Sequence, residues 1–312
     1  MIKRTLYFGN NAYLHTKDEQ IIVDFADKDK TPAKVPIEDI GVVILDAYQL
    51  TISQNLISKL LDNNVALITC NKKRMPQGLM LNLDGHHVQQ EKFHNQIDAS
   101  LPLKKQLWQQ TIRQKIQNQA YLLSLLTIVA ASELQNMDYW ASSVKSGDPD
   151  NYEGRAAAFY WRHLFTQFIE SFKRGRFEDE PNNLLNYGYA ILRAITARSL
   201  VASGLLPTFG IHHHNKYNAY ALADDIMEPY RPFVDFVVYQ IVDEHQDEIY
   251  ENGEIELSTE IKAKLLVIPT LDVIIDGESS PLMIAMQRTT ASLSACFDGV
   301  RKTILYPKFP SE

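Results

Sequence analysis

Cysteine is scarce in this chain of 312 residues, which has only Cys70 and Cys296, far apart. Such a pair makes neither a disulfide framework nor the close spacing of a redox or metal motif, so both thiols are expected to be free and buried. Long apolar runs are missing too. No stretch approaches the roughly 20 residues that a helix needs to span a bilayer, and the segment from Tyr121 to Ala131 reads as a buried helix. The opening residues MIKRTLYFGNNAYL lack both an apolar core and a small-residue cleavage site. No secretory signal and no membrane partner are expected, and a reducing cytoplasm is the expected setting. Positive charge is in deficit, with 31 Lys and Arg against 38 Asp and Glu, a net charge of −7. That balance argues mildly against a nucleic-acid partner, since phosphate contacts call on Lys and Arg. Neither an internal repeat nor a low-complexity segment is visible.

What is present is ordinary globular material, 45% hydrophobic and 22% charged, long enough for one large domain or two unequal ones. Its charge is unevenly spread. Between Arg155 and Phe177 five bases (Arg155, Arg162, Lys173, Arg174, Arg176) face the single acid Glu170. Between Ala223 and Glu260 twelve acids face only Arg231. Such asymmetry can put a basic surface on an acidic protein, although two ordinary solvated faces account for it equally well.

The texture changes once along the chain. Up to about residue 90 it suits strands: Leu6–Phe8 running into Gly9-Asn10, alternation over Gln20–Phe25, the runs Ile40–Leu45 and Val65–Cys70, and Gly78–Leu83. One helical pattern, Ile52–Leu61, interrupts them. From Leu101 onward the patterns are helical, over a long stretch after Pro102 and then over Ala156–Lys173, Leu184–Ser203, Ala219–Met227, Phe233–Tyr250 and Leu282–Ile304. The expected fold class is α+β. A small β-rich domain over residues 1–92 precedes a larger all-α domain over 93–312, with Tyr306–Glu312 as a loosely held end.

Chemistry gathers in the second half. His212, His213 and His214 stand in a row, and the next helix carries Asp224, Asp225 and Glu228. Residues three or four apart share a helix face, where like charges repel unless a cation neutralises them. A divalent ion held by carboxylates and one imidazole fits that need. The bland alternative is a set of acids favoured by a helix N-terminus. Glu153, just before Gly154-Arg155-Ala156-Ala157-Ala158, would on its own pass as an N-terminal helix charge, though small residues there let a ligand approach. His86-His87 lacks an acidic partner at helical spacing and reads as structural.

Four ordered blocks carry a resemblance: Asn151–Ala157 (NYEGRAA), Leu185–Ala190 (LNYGYA), Gly210–His213 (GIHH) and Asp225–Pro232 (DIMEPYRP). They resemble the signature blocks of the CRISPR-associated integrase family, the larger subunit of the spacer-acquisition complex, and its type II branch in particular. Ile37–Asp46 and Arg288–Leu293 extend the likeness to nearly the whole chain. The resemblance implies a metal-dependent integrase and endonuclease that binds Mg²⁺ or Mn²⁺ through Glu153, His213 and Glu228. His212 and His214 compete for the histidine's place, and the Gly-Ile-x-His pattern selects His213. Asp225 would support the site, and Asn186 and Tyr187 would line it. Arg155, Arg162, Lys173, Arg174 and Arg176 become candidates for DNA phosphates. The implied partners are protospacer and repeat DNA, a second copy of the chain bound through the N-terminal domain, a small ferredoxin-like adaptation subunit in a heterohexamer, and the type II effector nuclease. A nuclease without integration shares every site residue, and a non-enzymatic scaffold would need none of them.

Overall fold

The computed structural model describes residues 3–27, 29–175, 178–252 and 255–310. Its N-terminal part holds two four-stranded sheets. In the first, β1 (Arg4–Phe8), β5 (Ile40–Leu45), β7 (Ala66–Cys70) and β8 (Pro76–Met80) lie in that order, the first three parallel and β8 antiparallel. In the second the order is β4 (Ala33–Pro36), β3 (Gln20–Phe25), β2 (Ala12–Lys17) and β6 (Leu50–Ile52). The hairpin β2–β3 turns on Asp18 and Glu19, both at positive φ (51° and 56°), as a two-residue type I′ turn requires. With neither Gly nor Asn there, the sequence hid this hairpin, and β2, β4 and β6 were not expected. Helix α1 (Gln54–Asp62) starts at Ser53, whose Oγ accepts from the amide of Leu56.

β5 and β7 are buried on both faces, which is why they read as unbroken apolar runs. Successive side chains point to opposite faces of a strand. Val43 and Leu67 therefore join Leu14, Ile21, Leu56 and Leu60 in a core beneath the second sheet and α1. Val42, Ile44, Ala66 and Ile68 instead join the core of the helical part.

The helical part follows through α2 (Gln89–Ile97), which crosses residues 92 and 93. Then come α3 (Leu101–Leu126), α4 (Ala131–Ser143), α5 (Tyr152–Leu164), α6 (Asn182–Ala202), α7 (Ala221–Ile226), α8 (Arg231–Glu244), α9 (Gln246–Asn252), α10 (Thr259–Leu265) and α11 (Leu282–Phe297). α6 lies on β5, β7 and β8 and packs against α8 and α11, so it forms the middle of the molecule. α2, α10 and a hairpin of β9 (Asp272–Ile275) and β10 (Glu278–Pro281) had not been expected. Of the expected helices, α5 stops early at Leu164 and α11 at Phe297, and the Phe233–Tyr250 pattern is split between α8 and α9. No helix among the described residues is long and apolar enough to cross a membrane.

The expectation of a loose end at Tyr306–Glu312 is wrong as far as Pro310. Tyr306 is buried, its hydroxyl 2.8 Å from Thr111 Oγ1. Lys308 pairs with Ile274 through two backbone hydrogen bonds, and Phe309 stacks on Phe233 at 4.0 Å. Two prolines prevent a helix here but do not prevent packing, and the aromatic residues Tyr306 and Phe309 supply the apolar surface.

Candidate active site

α5 begins at a dense cap. Asp148 accepts from the amides of Tyr152 and Glu153 at 3.0 and 2.9 Å, and Asn151, in the left-handed region, accepts from that of Gly154. Orphan amides of the first turn are satisfied in this way, and Glu153 is set at the helix start. α7 spans only six residues. Glu228 therefore sits not on it but in the following one-turn 3-10 helix, Glu228–Tyr230, at the foot of α8.

This corrects the physical picture of three acids repelling on one helix face. Each has its own partner. Asp224 accepts from Arg193 Nε at 2.7 Å and Asn218 Nδ2 at 2.8 Å, away from the other two. Asp225 is fully buried and accepts from the amides of His212 and His213 and pairs with Nδ1 of His213. Gly210 makes this possible, because a Cβ there would lie 2.8 Å from Asp225 Oδ2 and 2.5 Å from the carbonyl oxygen of His213. Glu228 is held by Arg231 Nε at 2.9 Å and by Lys115 Nζ at 2.7 Å.

Lys115 is the feature that sequence reasoning missed. Its ammonium also lies 2.7 Å from Glu153 Oε1, so one buried cation bridges the two carboxylates. Glu228 and Glu153 also act on His213, both raising it. A signal was available: Lys115 follows Trp108 by seven residues on α3, on the stripe of Trp108, Ile112, Ile116 and Gln119 that turns inward. A lysine on a buried stripe is rare without a partner.

Burial alone would raise the carboxyl of Glu228, but Arg231 and Lys115 outweigh it and hold the group down at about 2. Burial would likewise lower Lys115, and Glu228 and Glu153 raise it instead. The hydrogen bond to Asp225 raises His213, while burial lowers its neighbour His212, which stacks on Trp108 with ring centroids 4.1 Å apart. His214 lines a cavity with Lys104, Lys216 and His213 itself.

Beside the cluster runs a groove in two connected parts. An inner cavity of about 140 Å³ is lined by Lys115, Glu228, Arg231, Tyr189, Asp235 and Arg174. It shares Trp161 and Arg174 with an open outer hollow of about 440 Å³, where Ala157, Ala158, Arg162 and Lys173 lie. Three of the basic candidates thus reach one groove. Arg155 does not line it and lies 5.2 Å from the Tyr152 ring, and Arg176 lies outside the described residues. Asn186 reaches the groove through Arg174, which donates to its Oδ1 at 2.9 Å. Tyr187 is not at this site. It is fully buried, its ring near Lys262 in the contact between the sheet and the helical part.

The donors suit a hard divalent ion, with two carboxylates and an imidazole whose Nδ1 is already engaged. The place between the carboxylates already holds a cation, the Lys115 ammonium 2.7 Å from both Glu153 Oε1 and Glu228 Oε2. The residues therefore fit a metal in kind. In arrangement they do not yet converge: among the described residues no group of three or more His, Cys, Asp or Glu is placed to hold an ion.

The helical part of this α+β chain thus carries two carboxylates bridged by a buried lysine beside a groove with three basic side chains. The family model for CRISPR associated protein Cas1 matches residues 6–267, and the chain belongs to that family. It is 35% identical over 298 residues to the CRISPR-associated endonuclease Cas1 of Neisseria meningitidis serogroup C (strain 8013), covering 95% of this chain and 92% of that one. Among solved structures, a casposase bound to integration product shares the fold with a TM-score of 0.73 at 18% identity, over 97% of this chain and 92% of that one. A Cas6-RT-Cas1–Cas2 complex contains the same fold with a TM-score of 0.72 at 20% identity, over 97% of this chain and 36% of that one.

Proposed function

We propose that this chain is a Mg²⁺- or Mn²⁺-dependent DNA strand transferase and endonuclease that inserts short DNA spacers into a CRISPR array, with Glu153, His213 and Glu228 as the metal ligands. The observation that carries the proposal is the meeting of two carboxylates on one cation, Lys115, which with Glu228 lines the inner end of a basic groove. His213, oriented by the buried Asp225, is the third proposed ligand. The bound ion would supply charge stabilisation at phosphorus and lower the pKa of the attacking hydroxyl.

The chain's own groups supply the rest. Asp225 holds His213 by Nδ1, which leaves Nε2 as its ligand nitrogen. Arg231 fixes the Glu228 carboxylate, and Asn186 steadies Arg174. Arg162, Lys173 and Arg174 meet backbone phosphates along the groove. The 3′-hydroxyl of a protospacer end then forms a new bond to phosphorus at the repeat boundary, and the bond to the repeat strand's own 3′-oxygen breaks. With water as attacker the same site hydrolyses DNA, which suits the name endonuclease borne by the Neisseria relative.

Residues 1–92 are assigned to dimerisation and 93–312 to catalysis. The partners are protospacer and repeat DNA, a second copy of the chain, the small ferredoxin-like adaptation subunit in a heterohexamer, and the type II RNA-guided effector nuclease. The integration product in the casposase structure and the Cas2 subunit in the other complex support the first and third of these. The test is strand transfer of a labelled duplex with free 3′ ends into a supercoiled plasmid carrying the array, with the adaptation subunit present. Label joined by the wild type and lost in Glu153→Gln, His213→Ala and Glu228→Gln is expected. Nicking without joined label would favour the nuclease, and no metal-dependent product from folded protein would refute both.

A further inference from the structure

Lys115 occupies the point where the two proposed ligands meet, and its surroundings are built for more than a fixed ion pair. Glu153 and Glu228, carboxylates from two different elements, meet on its single ammonium, and Arg231 pairs with Glu228 alone. The Lys115 ammonium lies 2.7 Å from the buried Oε2 of Glu228. One turn further along α3, Gln119 presents a buried acceptor with no partner, Oε1, and it lines the same inner cavity as Lys115. Residues four apart on a helix are neighbours, and a lysine stem has four flexible carbons, so the ammonium can reach that oxygen without backbone movement.

We propose that Lys115 is a tethered stand-in for the metal: it holds Glu153 and Glu228 together in the metal-free protein, and an incoming divalent ion displaces its ammonium to Gln119 Oε1. The proposal rests on the metal reading given above. The exchange makes and breaks no covalent bond. It keeps the buried Glu228 and the part-buried Glu153 from facing each other bare, a state whose desolvation would be costly, and it sets the threshold at which the site loads.

The measurement is Mn²⁺ binding by calorimetry on the full chain, with Lys115→Met, Gln119→Met and the double variant alongside. Lys115→Met is expected to bind Mn²⁺ about tenfold more tightly or better, because a buried competing charge has been removed. It is also expected to melt earlier without metal and to recover with it. Gln119→Met is expected to weaken Mn²⁺ binding while Lys115 is present and to change nothing in the Lys115→Met background, a coupling that a merely structural lysine would not show. Should Lys115→Met fail to fold, acetylation of Lys115 in the wild type, read by mass spectrometry, is expected to speed up when Mn²⁺ is added. Equal or weaker binding by Lys115→Met, or a labelling rate that Mn²⁺ leaves unchanged or slows, would overturn the exchange while the metal site stands. A wild type and a Lys115→Met protein that both ignore Mn²⁺ would instead remove the metal reading, and the exchange with it.

Discussion

A buried carboxylate is costly unless donors surround it, and Asp225 has three, the amides of His212 and His213 and the ring of His213. It therefore sets both the path of the loop and the orientation of the imidazole. Asp225→Asn is expected to lower strand-transfer activity about 10- to 100-fold, the usual cost of losing the partner behind a ligand, with the fold kept by circular dichroism. Gly210→Ala should act in the same direction, since its Cβ would push between His213 and Asp225. Asp235 tests the electrostatics of the inner cavity. Burial raises its carboxyl to about 6 although Tyr160 and Tyr189 both donate to it. A raised folded value contributes stability that is complete below about 3.8 and lost as pH rises through about 6. The size is about 3 kcal/mol. Glu228 works oppositely, its stability present above about 4.5 and lost only as pH falls through about 2. Urea midpoints of the wild type should therefore drop between pH 4 and pH 7 more than those of Asp235→Asn. Equal drops would show that Asp235 does not titrate there.

Among the elements, α3 does two things at once. Its inward stripe packs Trp108 and Ile112 and delivers Lys115, and its Asn118 donates to the carbonyls of Pro229 and Pro307, at 2.7 and 3.0 Å. The one-turn helix of Glu228 and the C-terminal segment are thus tied to the same residue. Phe309 closes that segment between Tyr121 and Phe233. Phe309→Ala should cost about 2–3 kcal/mol, somewhat less than a fully buried phenylalanine, as a drop in melting temperature. α6 crosses α8 closely because Gly188 lacks a side chain; a Cβ there would come within 2.5 Å of Val234 Cγ1. Gly188→Ala is expected to lose about 1–3 kcal/mol by overpacking, and no loss would mean the helices separate freely at this point.

At the scale of the molecule, buried polar contacts join the sheet to the helical part. Lys262 on α10 reaches Asp46 at 2.9 Å, with Tyr7 donating to the same carboxylate oxygen. Arg198 on α6 donates to the carbonyl of Asn64, and burial lowers it to about 10. Asp46→Asn leaves Lys262 buried without its counter-charge and should cost about 3–5 kcal/mol in chemical unfolding. The acidic whole also carries a basic groove, so DNA affinity should depend on a few residues and on salt. Arg162→Gln with Lys173→Gln is expected to weaken binding to all sequences alike and to flatten the dependence of log affinity on log salt by about 2. An unchanged slope would place the DNA elsewhere.

Read from the sequence alone, the division into a β-rich and a helical part and most of the long helices were legible, and the proposed ligands Glu153, His213 and Glu228 with Asp225 were named there. Strands buried on two faces and helices with apolar stripes announce themselves through local periodicity, and the four blocks carried the site. The β2–β3 hairpin was not legible, because Asp18 and Glu19 adopt left-handed backbone only under the pull of pairing strands. Nor was the ordered tail, whose hydrogen bonds to Thr111 and Tyr121 span 195 and 189 residues. The roles of Tyr187, Asn186 and Lys115 were also decided in three dimensions. Two neighbours on α6, Asn186 and Tyr187, end in different surroundings, one beside Arg174 and one beneath Lys262. Pairing of charges is a long-range outcome of packing: local sequence shows which acids exist, and only the assembled helices show that a lysine from α3 stands between two of them.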